Sequence, residues 1–362
     1  MISVSRAQSV SPERGRRLLV AGLIVLIGLS VWRLVIAPVP ALPDNAPVTE
    51  VSGASMGTTY SVKLAGVLDS RQTAELERTV VDALAAVDAA ASTYRQDSEL
   101  SRFNRLAEID NPFQLSAVLL PIVTTALEVG QQSAGALDVT IAPLVDAWGF
   151  GAKEQRNPTP EVITSLRARV GLQHLQLDGA ALKKRRADLA LDLSAVAKGY
   201  AVDLIAIGLE KLGHNDFLVE VGGELRARGE RTPGQPWRVG IEKPVAELRA
   251  VQRAVTLRNI SMATSGDYRN FYEVEGRRRS HLIDPRTGRP IEHGLASVTV
   301  LHPEAARADA WATALAVLGP SAGPELAERE GVAAFFVVRE APDRFRSMES
   351  STFARAASAE KP

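Results

Sequence analysis

An apolar run from Leu18 to Trp32, led by Arg14, Arg16 and Arg17 and prolonged past Arg33 by "LVIAP", divides the chain before any other feature is considered. Its uncharged core is shorter than the ~20 residues of a spanning helix, but running on to Ala37 with Arg33 snorkelling reaches about 30 Å. The following "APVPALPDNAP" offers no clean small-x-small cleavage site. The run therefore reads as an uncleaved signal-anchor over residues 18–37; a cleaved signal peptide is the rival, and "GRRLLV" weakly matches a twin-arginine signal. The basic flank places residues 1–17 in the cytoplasm and the rest, after a linker at 38–50, on the far side of the membrane. The chain contains no cysteine, which removes disulfides, thiolate metal sites, a cysteine nucleophile and a lipidated cysteine. Stability must come from an ordinary core, and 46% apolar content over 362 residues supplies a large one.

Within the exported part, the spacing predicts a strand interrupted by Gly57, a long amphipathic helix from Arg71 to Ala91, and a helix from about Ser116 to Ser133. "NPTPEVITSLRARVG" opens a surface helix. Strand signals follow in "HLQLD", "DLALDL", "FLVEV", "ELRARG" and "WRVGIE", with a helix from Lys198 to Leu212 among them. "AVTLRN", "SMATS", "FYEV", "SVTVL" and "GVAAFFVVRE" add more. Strands outnumber helices and many are joined by short turns, which predicts an α+β fold of mixed or antiparallel sheets with packed helices rather than a repeating βαβ pattern. One domain is expected over 51–350, with a weakly patterned tail at 351–362. Forty-two basic residues balance forty-two acidic ones, and no basic patch is interleaved with aromatics, so nucleic acid is not an expected partner.

The helix "RADAWATALAVLGP" poses the chemical question. Trp311, Leu315 and Leu318 share one stripe, while Asp309 and Thr313 lie one turn apart on roughly the opposite side. A carboxylate and a hydroxyl so placed are hard oxygen ligands suited to Mg²⁺ completed by water and phosphate. Equally, Asp309 could favour the positive end of the helix and Thr313 bond back to a carbonyl. "LDLSAVAKGYAVD" reads as a strand that opens a helix near Lys198, offering free backbone N–H groups and a cation to an anion, or simply a solvated lysine. Gly222 and Gly223 in "VEVGGEL" permit either close approach to a ligand or a tight hairpin. His281, three residues before Asp284 in "SHLIDPRTGRP", is the one histidine set in a polar constellation. No nucleophile elbow, G-x-G-x-x-G or H-x-x-H set is found, which lowers serine hydrolysis and Rossmann hydride transfer.

Eight segments in order, "MGTTYSV", "STYRQDSELSRFN", "GALDVTIAPLVDAWGFG", "LDLSAVAKGYAVD", "VEVGGEL", "TSGDYRNF", "HLIDPRTG" and "DAWATAL", closely resemble the ApbE family of FAD:protein FMN transferases. The resemblance runs from about Val51 to Arg339. It implies a bacterial inner-membrane protein with its catalytic domain in the periplasm, binding FAD as substrate with Mg²⁺ on the pyrophosphate. By motif, Asp309, Thr313 and the Ala195 carbonyl would hold the metal, and Met56 and Tyr94 would lie at the flavin. Asp138, Lys198, Glu220, Gly223, Ser265, Gly266 and Asp267 would shape the pocket, and His281 would assist proton transfer. The implied reaction joins FMN to a Thr or Ser hydroxyl of a flavoprotein subunit of a membrane electron-transfer complex, releasing AMP. Many family members are lipoproteins; without cysteine, attachment here falls to the anchor. An Mg²⁺-dependent FAD pyrophosphatase using the same site, and a non-catalytic flavin-binding protein, remain alternatives.

Overall fold

Alternating apolar residues along the chain build an antiparallel sheet whose eight strands lie side by side in chain order. They are β1 (Val48–Ser55), β2 (Thr58–Ala65), β3 (Phe217–Val221), β4 (Glu224–Arg228), β5 (Ile260–Gly266), β6 (Leu295–His302), β7 (Ala333–Ala341) and β8 (Arg344–Glu349). Each is antiparallel to the next. The computed structural model describes residues 47–151, 157–245, 250–266, 271–274, 277–341 and 344–358; the expected anchor at 18–37 and Asp267 lie outside the described residues. The α+β expectation holds.

An antiparallel meander needs only tight turns, so the helices are carried as excursions between neighbouring strands. The β2–β3 connection holds α1 (Ser70–Ala91), α2 (Glu99–Arg105), α3 (Leu119–Gln132), α4 (Ala142–Trp148), α5 (Pro160–Arg167) and α6 (Ser194–Lys211). The β6–β7 connection is α7 (Ala305–Arg329), and α8 (Ser351–Ser358) follows β8. Strands at 230–232, 235–242 and 251–257 form a smaller sheet within the β4–β5 connection. Alternation sorts the large sheet into two faces. Val62, Leu64, Val219, Val221, Val298, Val300 and Phe336 join the helices in the main core. Ala227, Met262, Leu301, Phe335 and Val337 face a second core with Trp237, Leu257 and Phe353. β6 is buried along nearly its whole length, Ser297 and Thr299 included.

α1 starts where Asp69 and Gln72 form a reciprocal capping box, and Leu76, Val80, Leu84 and Val87 give its buried stripe. α7 has no such single stripe. Ala308, Asp309, Ala310, Trp311, Ala312, Ala314 and Leu315 are all buried, so the side expected opposite the Trp311 stripe is enclosed too. What encloses it is α6. A Cβ at Gly199 would come within 2.3 Å of the Ala305 carbonyl oxygen, so a glycine is required where the two helices touch. Glu304, at the N-cap of α7, makes no side-chain cap; Asp203 of α6 accepts from the Ala305 and Ala306 N–H groups instead, at 3.0 and 2.9 Å. Arg226 of β4 donates to Asp203 Oδ1, the oxygen that also accepts from Ala305, at 2.7 Å. Burial pushes the Asp203 carboxyl up, opposed by these N–H groups and by Arg226. α7 breaks at Gly319, whose φ of 80° precedes Pro320.

Four expectations need correction. "DLALDL" is not a strand: Leu189, Leu191 and Leu193 are fully buried, but the segment joins no strand ladder. α6 begins at Ser194, so Lys198 stands in its second turn rather than among free N-terminal amides. The folded unit opens at Pro47, with β1 from Val48, so the linker ends before residue 50. The tail at 351–362 is not featureless, because α8 buries Phe353 completely against Phe335, with the Arg253 guanidinium 5.1 Å from each ring.

Lys184 is 1% exposed and caps the end of α2, its ammonium donating to the Asn104 and Leu106 carbonyls at 2.9 and 3.0 Å over the Phe103 ring. Burial pulls it down to about 8. Asp203→Ala is expected to lower unfolding free energy by about 3 kcal/mol in urea denaturation, since it uncaps α7 and leaves Arg226 unpaired. Because the folded state releases the Lys184 proton near pH 8 and the unfolded state only near the ordinary lysine value of 10.5, this group's contribution rises between those limits. The stability of the wild type relative to Lys184→Met should therefore increase from pH 8 to 10.5 in paired denaturation curves.

Candidate functional site

Two hairpin tips meet at one end of the large sheet. Between β1 and β2, Met56 and Gly57 take φ of 50° and 71°; between β3 and β4, Gly222 and Gly223 take 64° and 104°. Both are two-residue turns with left-handed central residues, the geometry that matches strand twist. The Gly222 N–H donates to the Thr59 carbonyl at 3.0 Å. A Cβ on Gly222 would sit 2.9 Å from Thr58 Cγ2 and 3.2 Å from Lys198 Cδ. Gly222 is thus the position where a side chain would separate the tips from α6.

Beneath the tips lies a charged cluster. Lys198 Nζ is 3.1 Å from Glu224 Oε1 and 3.5 Å from Asp309 Oδ2. Asp309 Oδ2 also accepts from the Gly199 N–H at 3.1 Å, although the usual acceptor of that donor in a helix is the Ala195 carbonyl. Asp309 and Glu224 are 4% and 3% exposed. Burial pushes both carboxyls up, opposed by the Lys198 ammonium. Burial in turn works against that ammonium, but Asp309 and Glu224 outweigh it and the lysine shifts up. With both acids ionised the cluster carries one net negative charge, and Glu224 Oε2 has no hydrogen-bond partner among the described residues. With both acids ionised, the excess negative charge on these carboxylate oxygens fits a cation of hard character at Asp309. Thr313, half-buried, follows Asp309 one turn along α7, and Ala195 lies in the first turn of α6. No cluster of three or more His, Asp or Glu forms among the described residues, so a metal here would need oxygens from a hydroxyl, a carbonyl or a substrate.

Glu224 was not singled out from the sequence, whereas Glu220 was, and strand parity separates them. Glu224 is the cross-strand partner of Val221, which faces the helices. Glu220 pairs with Leu225 and lies on the other face, where it lines an open groove with Glu50, Ser61, Lys63, Leu218 and Leu225. Glu220 Oε1 accepts from the Gly223 N–H at 2.7 Å, so it staples the hairpin and does not join the Lys198 cluster.

The other sequence-selected residues fall in four places. β4 pairs Leu225 with Met262, so β5 runs past the start of β4 and brings Ser265 and Gly266 to the hairpin end of the sheet. The Asp138 carboxylate is occupied locally, accepting from the Thr140 N–H at 2.9 Å and hydroxyl at 2.6 Å, while the adjacent Val139 carbonyl accepts from Asp192 on the approach to α6. Burial pushes the Asp138 carboxyl up against those hydrogen bonds. Tyr94 is 69% exposed on the loop after α1, its amide donating to the Ser92 hydroxyl. His281 stands edge-on to Phe150, with ring centroids 6.4 Å apart, and Trp148 donates its indole N–H to Gly288 at 2.9 Å. These contacts dock "HLIDPRTG" on "DAWGFG" across more than a hundred residues, with Leu144, Ile163 and Ile283 as a small core of their own.

The arrangement has counterparts elsewhere. A family model described as the ApbE family matches residues 56–336. The FAD:protein FMN transferase of Escherichia coli K12 is 43% identical over 322 residues, covering 87% of this chain and 91% of that protein. The corresponding transferase of Salmonella typhimurium is 44% identical over 321 residues, with the same coverage. Among solved structures, the flavinyl transferase ApbE of Pseudomonas stutzeri in its apo form superposes with a TM-score of 0.78 at 42% identity over 87% of this chain and 98% of that one. The flavin transferase ApbE of Vibrio cholerae gives 0.76 at 40% identity over 85% and 99%. On a match that spans most of the chain, this protein belongs to the ApbE family.

Proposed function

We propose that this chain is an FAD:protein FMN transferase that moves the FMN half of FAD to a Thr or Ser hydroxyl of a target flavoprotein, with Mg²⁺ bound at Asp309. The observation that carries the reading is the buried Asp309–Lys198–Glu224 cluster under two hairpin tips, in a chain so similar to proteins named for that activity. Asp309, the Thr313 hydroxyl and the Ala195 carbonyl would hold the metal, which supplies charge neutralisation at the pyrophosphate oxygens. Lys198 adds a second positive charge to the same anion. Gly222 and Gly223 let a backbone approach it where a side chain would not fit. Exposed Tyr94 and the hairpin residue Met56 offer an aromatic and a thioether surface to the flavin ring.

In the reaction the acceptor oxygen forms a bond to the FMN phosphorus as the bond from that phosphorus to the bridging oxygen breaks, and AMP leaves. A hydroxyl is a weak nucleophile near neutral pH, so its proton needs a base. His281 is the residue we assign to that proton. Residues 18–37 would anchor the protein in the bacterial inner membrane with this domain in the periplasm, where the acceptor would be a flavoprotein subunit of a membrane electron-transfer complex.

Mass spectrometry after mixing the protein with FAD, Mg²⁺ and a candidate flavoprotein domain tests the reading. An acceptor that gains the mass of an FMN phosphoester, with AMP released and only without chelator, is the expected result. Free FMN and AMP with an unchanged acceptor would identify a pyrophosphatase, and no turnover a binding protein. Asp309→Ala should lower transfer at least about a hundredfold at fixed Mg²⁺, and His281→Ala about a hundredfold while retaining bound FAD. His281→Ala with full transfer would remove the base assignment.

A further inference from the structure

The Lys198 ammonium lies between two acids and favours neither fully: 3.1 Å from Glu224 Oε1 and 3.5 Å from Asp309 Oδ2. An ammonium so close to Asp309 competes with any other cation for the same carboxylate, because two like charges a few ångströms apart repel strongly away from bulk water. Glu224 is built to receive that ammonium. It is 3% exposed, it reaches Lys198 with one oxygen, and its Oε2 has no hydrogen-bond partner among the described residues. Lys198 is the least buried of the trio: its side chain is 31% exposed, on a four-carbon stem with several rotatable bonds that passes beside Gly222. Asp309 is fixed in a helix and held by the Gly199 N–H.

We propose that Glu224 is a positioning residue: the seat to which the Lys198 ammonium withdraws when a divalent cation takes Asp309, so that the two acids set the cation affinity by competing for one lysine. This rests on the reading of Asp309 as a metal ligand. Glu224 touches neither substrate nor metal in this scheme and acts only through Lys198. An ion pair of purely structural purpose makes a different prediction, because removing either end of it damages the site in the same direction. In the competition scheme the ends have opposite effects. Neutralising Glu224 leaves Lys198 wholly on Asp309 and weakens cation binding, whereas removing the Lys198 charge frees Asp309 and strengthens it.

Mn²⁺ alone, titrated into the full chain at pH 8 without FAD and followed by electron paramagnetic resonance of the free ion, separates these. Glu224→Gln should weaken binding about tenfold, or about 1.4 kcal/mol, and Lys198→Met should tighten it by a similar factor. Glu224→Asp, which keeps the charge, should recover most of the wild-type affinity. Thermal melting by circular dichroism checks that each variant folds, and if Glu224→Gln does not, Lys198→Met and Glu224→Asp still decide. Weakening by both Glu224→Gln and Lys198→Met, or no change in either, would overturn the proposal. Asp309→Asn distinguishes the two levels: if it abolishes binding while the Glu224 and Lys198 variants behave as wild type, only the competition scheme falls. If Asp309→Asn binds Mn²⁺ unchanged, the metal reading falls and the scheme with it.

Discussion

Everything at the candidate site depends on how α6 meets α7. Asp203 supplies the helix cap that Glu304 does not, and it does so from another helix, tying the first turn of α7 to the middle of α6. One turn earlier on α6, Gly199 lets the two backbones touch. These contacts leave no slack between the helices, so Asp309 is delivered beside the Gly199 N–H and Lys198. A cap normally stabilises its own helix; here it also sets the distance between a carboxylate and a cation. Arg226 extends the tie to β4, the strand that begins with Glu224, so sheet and helices are fixed to each other through one aspartate.

The sheet contributes the other half of the site. A meander in chain order places its turns at alternate ends, and two turns with left-handed residues emerge together above the Lys198 cluster. Their glycines form a roof that an extended anion could approach. With both acids ionised, the cluster below would carry one excess negative charge that a hard cation balances. A close-approach roof over a cluster of carboxylates and one lysine suits a ligand that brings phosphate and metal together.

Much of this was legible in the chain. Asp309 and Thr313 stood out as an unexplained pair on an alanine-rich helix, and Gly222 and Gly223 as a turn with room for close approach. The helix caps at Asp69 and Thr159 obey local rules, although the sequence reading did not single them out. Other features were hidden for identifiable reasons. Asp203 looks like an ordinary helix residue, because nothing local reveals that it caps a helix a hundred positions away. Glu224 could have been found by counting parity through the hairpin: Val221 points into the core, and its cross-strand partner must follow. The same count would have turned Glu220 outward. The start of α6 was misjudged because Leu189, Leu191 and Leu193 alternate like a strand, although burial rather than strand pairing explains them. α8 was missed because a short helix owes its existence to one buried side chain, Phe353, rather than to a repeating pattern.

On the proposed reading, the α6–α7 junction would build a cation site on Asp309. Anomalous diffraction from crystals grown with Mn²⁺ and FAD tests it most directly. The account predicts a single strong manganese peak bound by the Asp309 carboxylate, with the Thr313 hydroxyl and the Ala195 carbonyl among its ligands. A manganese peak away from Asp309, with FAD bound and Lys198 still paired to Asp309, would contradict it.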